Sequence, residues 1–189
     1  MQNRLMARVF LAFEVPEPSK STIFEIQAKL QRVVRSQYVM WLPESLWHIT
    51  VQFIGEVDAM MLERIKDILH DVRPRSIDLQ CWGVRALSVH SSPRIIVLQF
   101  ADPSGTAFSL RDWLSTSIAA QGIAADTRPW VPHVTLGRIR AGRTILQEYL
   151  SEIHVPKTPV RVQTVTLFES VFTNKGVRYH PMSSVDLLP

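Results

Sequence analysis

The stretch His48-Ile49-Thr50-Val51 recurs later in the chain as His133-Val134-Thr135-Leu136, and these two copies decide the predicted fold. In each copy one apolar residue separates a histidine from a threonine, and a second apolar residue follows. Alternate side chains of an extended strand point to opposite faces, so each histidine should share a face with its threonine while the apolar residues face a core. Two such strands side by side would direct two imidazoles and two hydroxyls at one small anion.

The sequence before and between the motifs predicts alternating strands and helices. The apolar run at residues 8–13 predicts a first strand, and a helix follows with Ser19 as its expected N-cap. Asp58 is the expected N-cap of a second helix, which begins after the first motif strand. A long strand is predicted over residues 77–89, with Gly83 as a possible bulge.

The second half of the chain repeats this order. The patterns predict a strand over 94–100, a helix ending near Gly122, a fourth helix around 145–153, one long strand over 160–172 and a terminal hairpin strand over 177–187. Each half thus holds a strand, a helix, a His-x-Thr strand and a helix. We therefore expect an α+β fold in which residues 1–189 form one bilobal domain: two pseudo-symmetric lobes of mainly antiparallel sheet with outer helices and a central cleft.

Composition narrows the class of partner and the compartment. The chain has 189 residues, a formal net charge of +4 and a single cysteine, Cys81. The mild positive charge suits an anionic partner without establishing nucleic-acid binding. One cysteine excludes an internal disulfide, and no apolar run approaches the length of a membrane span, so we expect a cytoplasmic protein with no membrane partner, working as a monomer.

Paired histidines are suited to acid–base chemistry on a phosphodiester. Hydrolysis needs a base to deprotonate the attacking water and an acid to protonate the departing oxygen, and imidazole serves both because its unperturbed pKa is ~6.5. One imidazole would be neutral and the other protonated, while threonine hydroxyls donate to nonbridging phosphate oxygens. The histidine and cysteine spacing is poor for a metal site and no phosphate-binding glycine loop occurs, so we expect neither a metal nor a cofactor.

Three further side chains near the second motif are candidates for binding substrate. Arg138 follows His133 by an odd number of residues, so it faces the site only if a bulge, for example at Gly137, interrupts the alternation. Arg128 lies in the preceding loop and is able to swing toward phosphate, although a surface ion pair would explain either arginine equally well. Trp130 could stack on a base or pack in the core.

The flanks of the motifs carry a family resemblance. The segments at residues 8–13, 41–56 and 128–138, together with 167–170, Gly176 and Tyr179 in the tail, resemble the two-histidine (2H) phosphoesterase superfamily. Within it they are similar to the RNA 2′,3′-cyclic phosphodiesterases of the LigT/ThpR branch, formerly called 2′-5′ RNA ligases. The resemblance spans nearly the whole chain.

The resemblance implies a bilobal α+β fold and metal-independent hydrolysis of RNA 2′,3′-cyclic phosphate ends to a 2′-phosphate. By position it implies that His48 is the proton donor, His133 the proton acceptor, and Thr50 and Thr135 the phosphate-binding hydroxyls. The same residues would equally serve 2′-5′ RNA ligation or 2′-5′ phosphodiester cleavage. A non-catalytic module that binds RNA ends is a third possibility, and the intact motifs argue against it.

Overall fold

The computed structural model describes residues 6–73, 76–89, 92–123, 129–140, 147–174 and 176–187. Within these ranges the strands are β1 (Ala7–Glu14), β2 (Val39–Trp41), β3 (His48–Val57), β4 (Ile77–Val89), β5 (Ser92–Ala101), β6 (His133–Ile139), β7 (Pro159–Val162), β8 (Thr164–Thr173) and β9 (Gly176–Asp186). The helices are α1 (Glu17–Val33), α2 (Ala59–His70), α3 (Thr106–Ala119) and α4 (Gln147–Ser151).

The described strands form a single antiparallel sheet in the order β7-β4-β5-β6-β3-β1-β8-β9, and β2 pairs with β6 beside this path. The sheet curls into a half-barrel, which confirms the predicted α+β class with its mainly antiparallel strands. The halves predicted along the chain do not coincide with the two sides of this sheet, because β8 and β9 from the end of the chain lie beside β1 from its beginning. The two sides are β7-β4-β5-β6 and β3-β1-β8-β9. They join where Ile49 of β3 pairs with Val134 of β6, so the two motif strands are neighbours at the centre of the sheet.

The sheet has two different faces. The face that carries Ile49 and Val134 packs in a core that also contains helix residues, among them Ile23, Ile65 and Leu114. This side is called the helical face below. The opposite side, to which the motif histidines and threonines belong, is called the open face. The predicted placement of helices on the outside of the sheet therefore leaves the motif side chains uncovered by the core.

Most predicted elements are present, and three details differ. Ser19 does not cap α1. The helix begins at Glu17, directly after Pro16, and Ser19 is buried within its first turn. Proline is tolerated at the start of a helix because the amide hydrogen that it lacks would have no partner there. The single strand predicted over 160–172 is two strands separated at Gln163, since β7 pairs with β4 and β8 with β1. The irregularity expected at Gly83 lies at Trp82, the residue left over between the paired Cys81 and Gly83.

One other expectation about an individual residue is confirmed. The Asp58 side chain accepts a hydrogen bond of 2.7 Å from the Met61 amide and caps α2. Cys81 is a buried free thiol, and burial raises its pKa to about 11, so it stays protonated near neutral pH.

Candidate active site

The motif strands present their side chains as the alternation predicts. Ile49 and Val51 are fully buried in the core, whereas His48 and Thr50 are partly exposed on the open face. The second motif has the same pattern over residues 133–136. The apolar residues of each motif thus anchor its strand, and this anchoring fixes where the polar side chains point.

The pairing of the two strands brings the motifs together. Ile49 and Val134 are antiparallel partners. Continued by one residue in each direction, this register sets His48 opposite Thr135 and Thr50 opposite His133. The histidines are then diagonal neighbours on one face, with their Cβ atoms separated by somewhat less than about 7–8 Å. That spacing leaves room for a phosphoryl group between the two rings.

Both imidazoles are held in the same orientation by the same contact. Nδ1 of His48 lies 2.8 Å from the carbonyl oxygen of Leu46, and Nδ1 of His133 lies 2.7 Å from that of Val131. A carbonyl only accepts, so each Nδ1 carries the hydrogen and donates it. In the neutral ring, Nε2 is then left as the atom that takes up or releases a proton.

The surroundings favour the neutral form of both rings. Burial lowers the pKa of His48 to about 4; the Leu46 carbonyl opposes this, and the charges of His133 and Arg138 lower the pKa further. Burial also lowers the pKa of His133, against the raising effect of the Val131 carbonyl. An anion placed between the rings would reverse these shifts, because a negative charge stabilises imidazolium.

Both motif strands contain an extra residue at the same place. In β3 the residues flanking Val51 pair with adjacent residues of β1, so Val51 has no partner of its own in this ladder. In β6 the residues flanking Leu136 likewise pair with adjacent residues of β5. Each bulge falls on the fourth position of its motif and displaces the alternation of the residues that follow it by one, in β6 to the end of the strand and in β3 as far as a second irregularity at Ile54.

The bulge in β6 places Arg138 on the open face. Its side chain is exposed, and its charge lowers the pKa of His48. The same charge opposes the rise that burial produces in the pKa of Tyr179. An extra residue in β6 therefore brings Arg138 to the same face as His133 despite the odd spacing between them. That residue is Leu136 and not the expected Gly137.

Gly137 has a different function from the one expected. A Cβ at this position would lie 2.5 Å from Cγ1 of Val39 and 3.0 Å from Cε3 of Trp41. Strand β2 crosses Gly137 at this close distance, since Trp41 and Gly137 are ladder partners. A glycine is needed here for close packing of the two strands next to Arg138.

The structure places Trp130 in packing on the helical side of the sheet. Its ring meets Phe13 and Phe108 edge to face, with centroid separations of 6.4 and 5.1 Å. Its indole N–H donates a 2.8 Å hydrogen bond to the carbonyl of Thr50. These contacts indicate that Trp130 positions the first motif strand, and a contact with substrate stays a prediction. Arg128 lies outside the described residues.

An aromatic cluster beside His48 was not anticipated from the sequence. The His48 ring lies 5.0 Å from Phe10 and 5.0 Å from Tyr179, and Phe10 stacks on Phe168 at 5.5 Å. Phe53 lies 6.1 Å from Phe10 and is 58% exposed. The sequence of β1 held a signal for this cluster, because its unbroken apolar run indicates a strand that is buried on both faces.

The described residues offer neither a metal-binding cluster nor a membrane-spanning helix. They contain no cluster of three or more histidine, cysteine, aspartate or glutamate side chains arranged to hold a metal ion. Among these residues, no helix combines the length and the apolar character required to span a bilayer.

Comparison with known proteins gives consistent matches over most of the chain. Residues 13–97 and 101–179 match the family described as LigT like Phosphoesterase. An RNA 2′,3′-cyclic phosphodiesterase of Methanothermobacter thermautotrophicus is 30% identical over 183 residues, covering 94% of this chain and 97% of its own. A second, from Thermotoga maritima, is 27% identical and covers 91% of each chain.

A solved structure supports the fold. The crystal structure of E. coli LigT complexed with 3′-AMP superimposes with a TM-score of 0.78, covering 96% of this chain and 98% of that one at 23% identity. The family match extends over both motif strands and over the part of the terminal hairpin that carries Phe168 and Tyr179. The chain therefore belongs to the LigT-like phosphoesterase family.

Proposed function

We propose that this protein hydrolyses 2′,3′-cyclic phosphate ends of RNA to 2′-phosphates by metal-independent acid–base catalysis. The observation that carries the proposal is the pair of imidazoles on adjacent strands, each with Nδ1 bonded to a carbonyl and Nε2 left for proton transfer. Residues 1–189 act as one unit in this proposal, because both motif strands belong to the same sheet.

The proposed reaction is an in-line displacement at phosphorus. Nε2 of His133 takes a proton from water, and the water oxygen forms a bond to phosphorus. The bond between phosphorus and O3′ breaks, and Nε2 of His48 gives its proton to O3′. The products are a 2′-phosphate monoester and a free 3′-hydroxyl, with His133 protonated and His48 neutral.

The threonines and Arg138 stabilise charge in this scheme. Thr50 and Thr135 share the open face with the rings, so their hydroxyls are placed to donate to the nonbridging phosphate oxygens. Arg138 adds a fixed positive charge close to His48. Without an anion this charge disfavours the acid form of His48, and a bound phosphodiester offsets it.

The choice of RNA as substrate rests on the relatives and on the aromatic cluster. The relatives from Methanothermobacter and Thermotoga are named RNA 2′,3′-cyclic phosphodiesterases. The exposed ring of Phe53, backed by Phe10, offers a flat apolar surface for the base of the terminal nucleotide. We further propose that the protein acts as a monomer, because one chain supplies both motifs, and that it works in the reducing cytoplasm, which suits its single free cysteine.

The decisive experiment is incubation with a short RNA that ends in a 2′,3′-cyclic phosphate, with and without EDTA. We expect chelator-resistant conversion to a product whose phosphoryl group remains on the 2′-oxygen. A parallel reaction with 2′-5′-linked oligonucleotides separates this activity from cleavage or ligation of 2′-5′ bonds. Binding of the RNA end without turnover would refute the hydrolytic function.

A further inference from the structure

The open face continues beyond the aromatic cluster to a second exposed aromatic residue. Phe172, near the end of β8, is 71% exposed, the largest exposed fraction among the exposed large apolar side chains of the described residues. The guanidinium of Arg8 lies over its ring, 5.6 Å from the centroid. An arginine stacked on an exposed ring combines a cation with a flat apolar surface.

The strand registers place this pair on the same face as the active-site histidine. Arg8 lies two residues before Phe10 in β1, so the two side chains share a face, and Phe10 contacts the ring of His48. Phe172 lies four residues after Phe168, the ladder partner of Phe10. The cation–π contact between Arg8 and Phe172 agrees with this assignment.

The pair is also close to the candidate catalytic centre. Tyr179, whose ring lies 5.0 Å from that of His48, is the ladder partner of Ser170. Phe172 follows Ser170 by two residues, which corresponds to about 7 Å along the strand. The Arg8–Phe172 pair therefore lies next to the aromatic side chains that surround His48, about two residues further along β8.

The chemistry of the proposed substrate determines what must lie next to its terminal nucleotide. In a 2′,3′-cyclic phosphate both O2′ and O3′ of the last ribose are bonded to phosphorus, so the RNA chain continues only through the 5′-oxygen. In the in-line arrangement proposed above, the leaving O3′ and its ribose lie on the His48 side. An RNA chain that continues from this ribose on the His48 side, away from His133, would extend over the side of the sheet that carries β1, β8 and β9.

We propose that Arg8 and Phe172 form a binding subsite for the nucleotide that precedes the cyclic phosphate end. This proposal rests on the function proposed above. Phe172 stacks on the base, and Arg8 binds the internucleotide phosphate. Such a combination recognises single-stranded RNA without base specificity, since every base has a face that can stack. The subsite makes a short RNA a better substrate than a nucleoside 2′,3′-cyclic phosphate.

The test compares these two substrates in the wild type and in Phe172→Ala. We expect kcat/KM for a tetranucleotide ending in a cyclic phosphate to fall by about tenfold through a higher KM, because one base loses its stacking partner. Hydrolysis of the nucleoside 2′,3′-cyclic phosphate should be unchanged. Phe172→Trp should retain the preference for the tetranucleotide and Phe172→Leu should lose it, which separates stacking from apolar burial.

Arg8→Gln tests the phosphate contact. For a single-stranded ligand, loss of one phosphate contact should reduce the slope of log K against log salt by about 0.7. The matched control is Arg178→Gln. Arg178 is an exposed arginine in β9 whose ladder partner is Val171, so its side chain lies on the face of the sheet opposite Arg8. Trp113→Ala, an exposed aromatic residue on α3, controls for loss of surface aromatic area.

The outcomes separate the subsite from the activity. Equal losses on both substrates, or no loss on the tetranucleotide, would overturn the subsite while leaving the hydrolytic function in place. If the wild type hydrolyses neither substrate, the proposed function fails. The subsite is then decided by fluorescence anisotropy with a tetranucleotide ending in a 3′-phosphate: weaker binding by Phe172→Ala than by Trp113→Ala supports it, and equal binding refutes it.

Discussion

Ile49 and Val134 are antiparallel partners at the junction of the two halves of the sheet, and each is flanked by the histidine and threonine of its own motif. Both side chains are fully buried. The junction is therefore stabilised on its helical face by the same residues that bring the two imidazoles together on its open face. The alignment of the two histidines is therefore a consequence of core packing.

Replacing either motif histidine should abolish hydrolysis while the fold is retained. His48→Ala and His133→Ala should each lower kcat by about 10²–10⁴-fold, the usual contribution of a general acid or base. Steady-state rates with a cyclic phosphate substrate measure this, and circular dichroism checks the fold. His154→Ala, an exposed histidine outside the motifs, is the control. A near-normal rate in either motif variant would remove that histidine from the mechanism.

Removing the charge of Arg138 should affect both the rate and the titration of His48. We expect Arg138→Gln to lower kcat, because the transition state loses a fixed cation. The pKa assigned to His48 should rise, since the charge of Arg138 lowers it in the wild type. An NMR titration of the His48 ring measures the shift. Arg32→Gln, in the last turn of α1, should leave both quantities unchanged.

The pH dependence of kcat/KM should be bell-shaped, with its maximum below about pH 6.5, the pKa of free imidazole. Burial lowers the pKa of His48 to about 4 and also lowers that of His133, so the free enzyme holds one proton on the pair only in the acidic range. The maximum of kcat should lie at higher pH, because bound phosphate favours imidazolium. A kcat/KM maximum above neutral pH would contradict the assigned roles.

Stability should fall as the pH is lowered from about 6.5 to 4. The folded pKa of His48 is about 4, below its value in the unfolded chain, so the unfolded state binds protons first as the pH falls. At about pH 5 this costs about 2 kcal/mol for His48 alone. Urea denaturation at pH 5 and 7.5 measures it, and the pH dependence should be weaker in His48→Gln. Parallel pH dependences in the two proteins would show that His48 is not buried as a neutral ring.

Gly137→Ala should destabilise the protein, whereas Gly83→Ala should be tolerated. The added methyl group at 137 meets Val39 and Trp41 at 2.5 and 3.0 Å, while nothing lies within 4 Å of a Cβ at 83. We expect a loss of about 1–3 kcal/mol for the first, as for overpacked cores, and little change for the second. Thermal unfolding of both variants measures the difference. Equal stabilities would show that β2 does not pack closely against β6.

The motifs could be found from the sequence because alternation is a local property. The pattern of residues 48–51 and 133–136 predicted which side chains are buried and which are exposed. It did not predict that Ile49 would pair with Val134, since a partner strand far along the chain leaves no trace in a single sequence. The direct pairing of the two motif strands and its register became visible only with the sheet topology.

The differences between expectation and structure have a common origin in pairing. The extra residue at Leu136 depends on how β5 aligns with β6, and the break at Gln163 arises because β7 and β8 pair with different strands. The sequence left open whether Trp130 stacks on a base or packs in the core. Its packing against Phe13 and Phe108 depends on where β1 and α3 lie, which a single sequence does not show. Local propensity specifies an element, and tertiary pairing decides its breaks and bulges.

The carbonyl contacts at Nδ1 restrict the route by which protons enter and leave the site. Because Nδ1 of each ring is hydrogen-bonded to the carbonyl of Leu46 or Val131, proton exchange with bulk water has to pass through Nε2, the atom that faces the substrate in the proposed mechanism. In the proposed mechanism, the two rings hold after one turnover the opposite protonation states from those they began with. We expect the original protonation states to return only after the product has left, so that reprotonation of His48, deprotonation of His133 and product release are observed as one kinetic step.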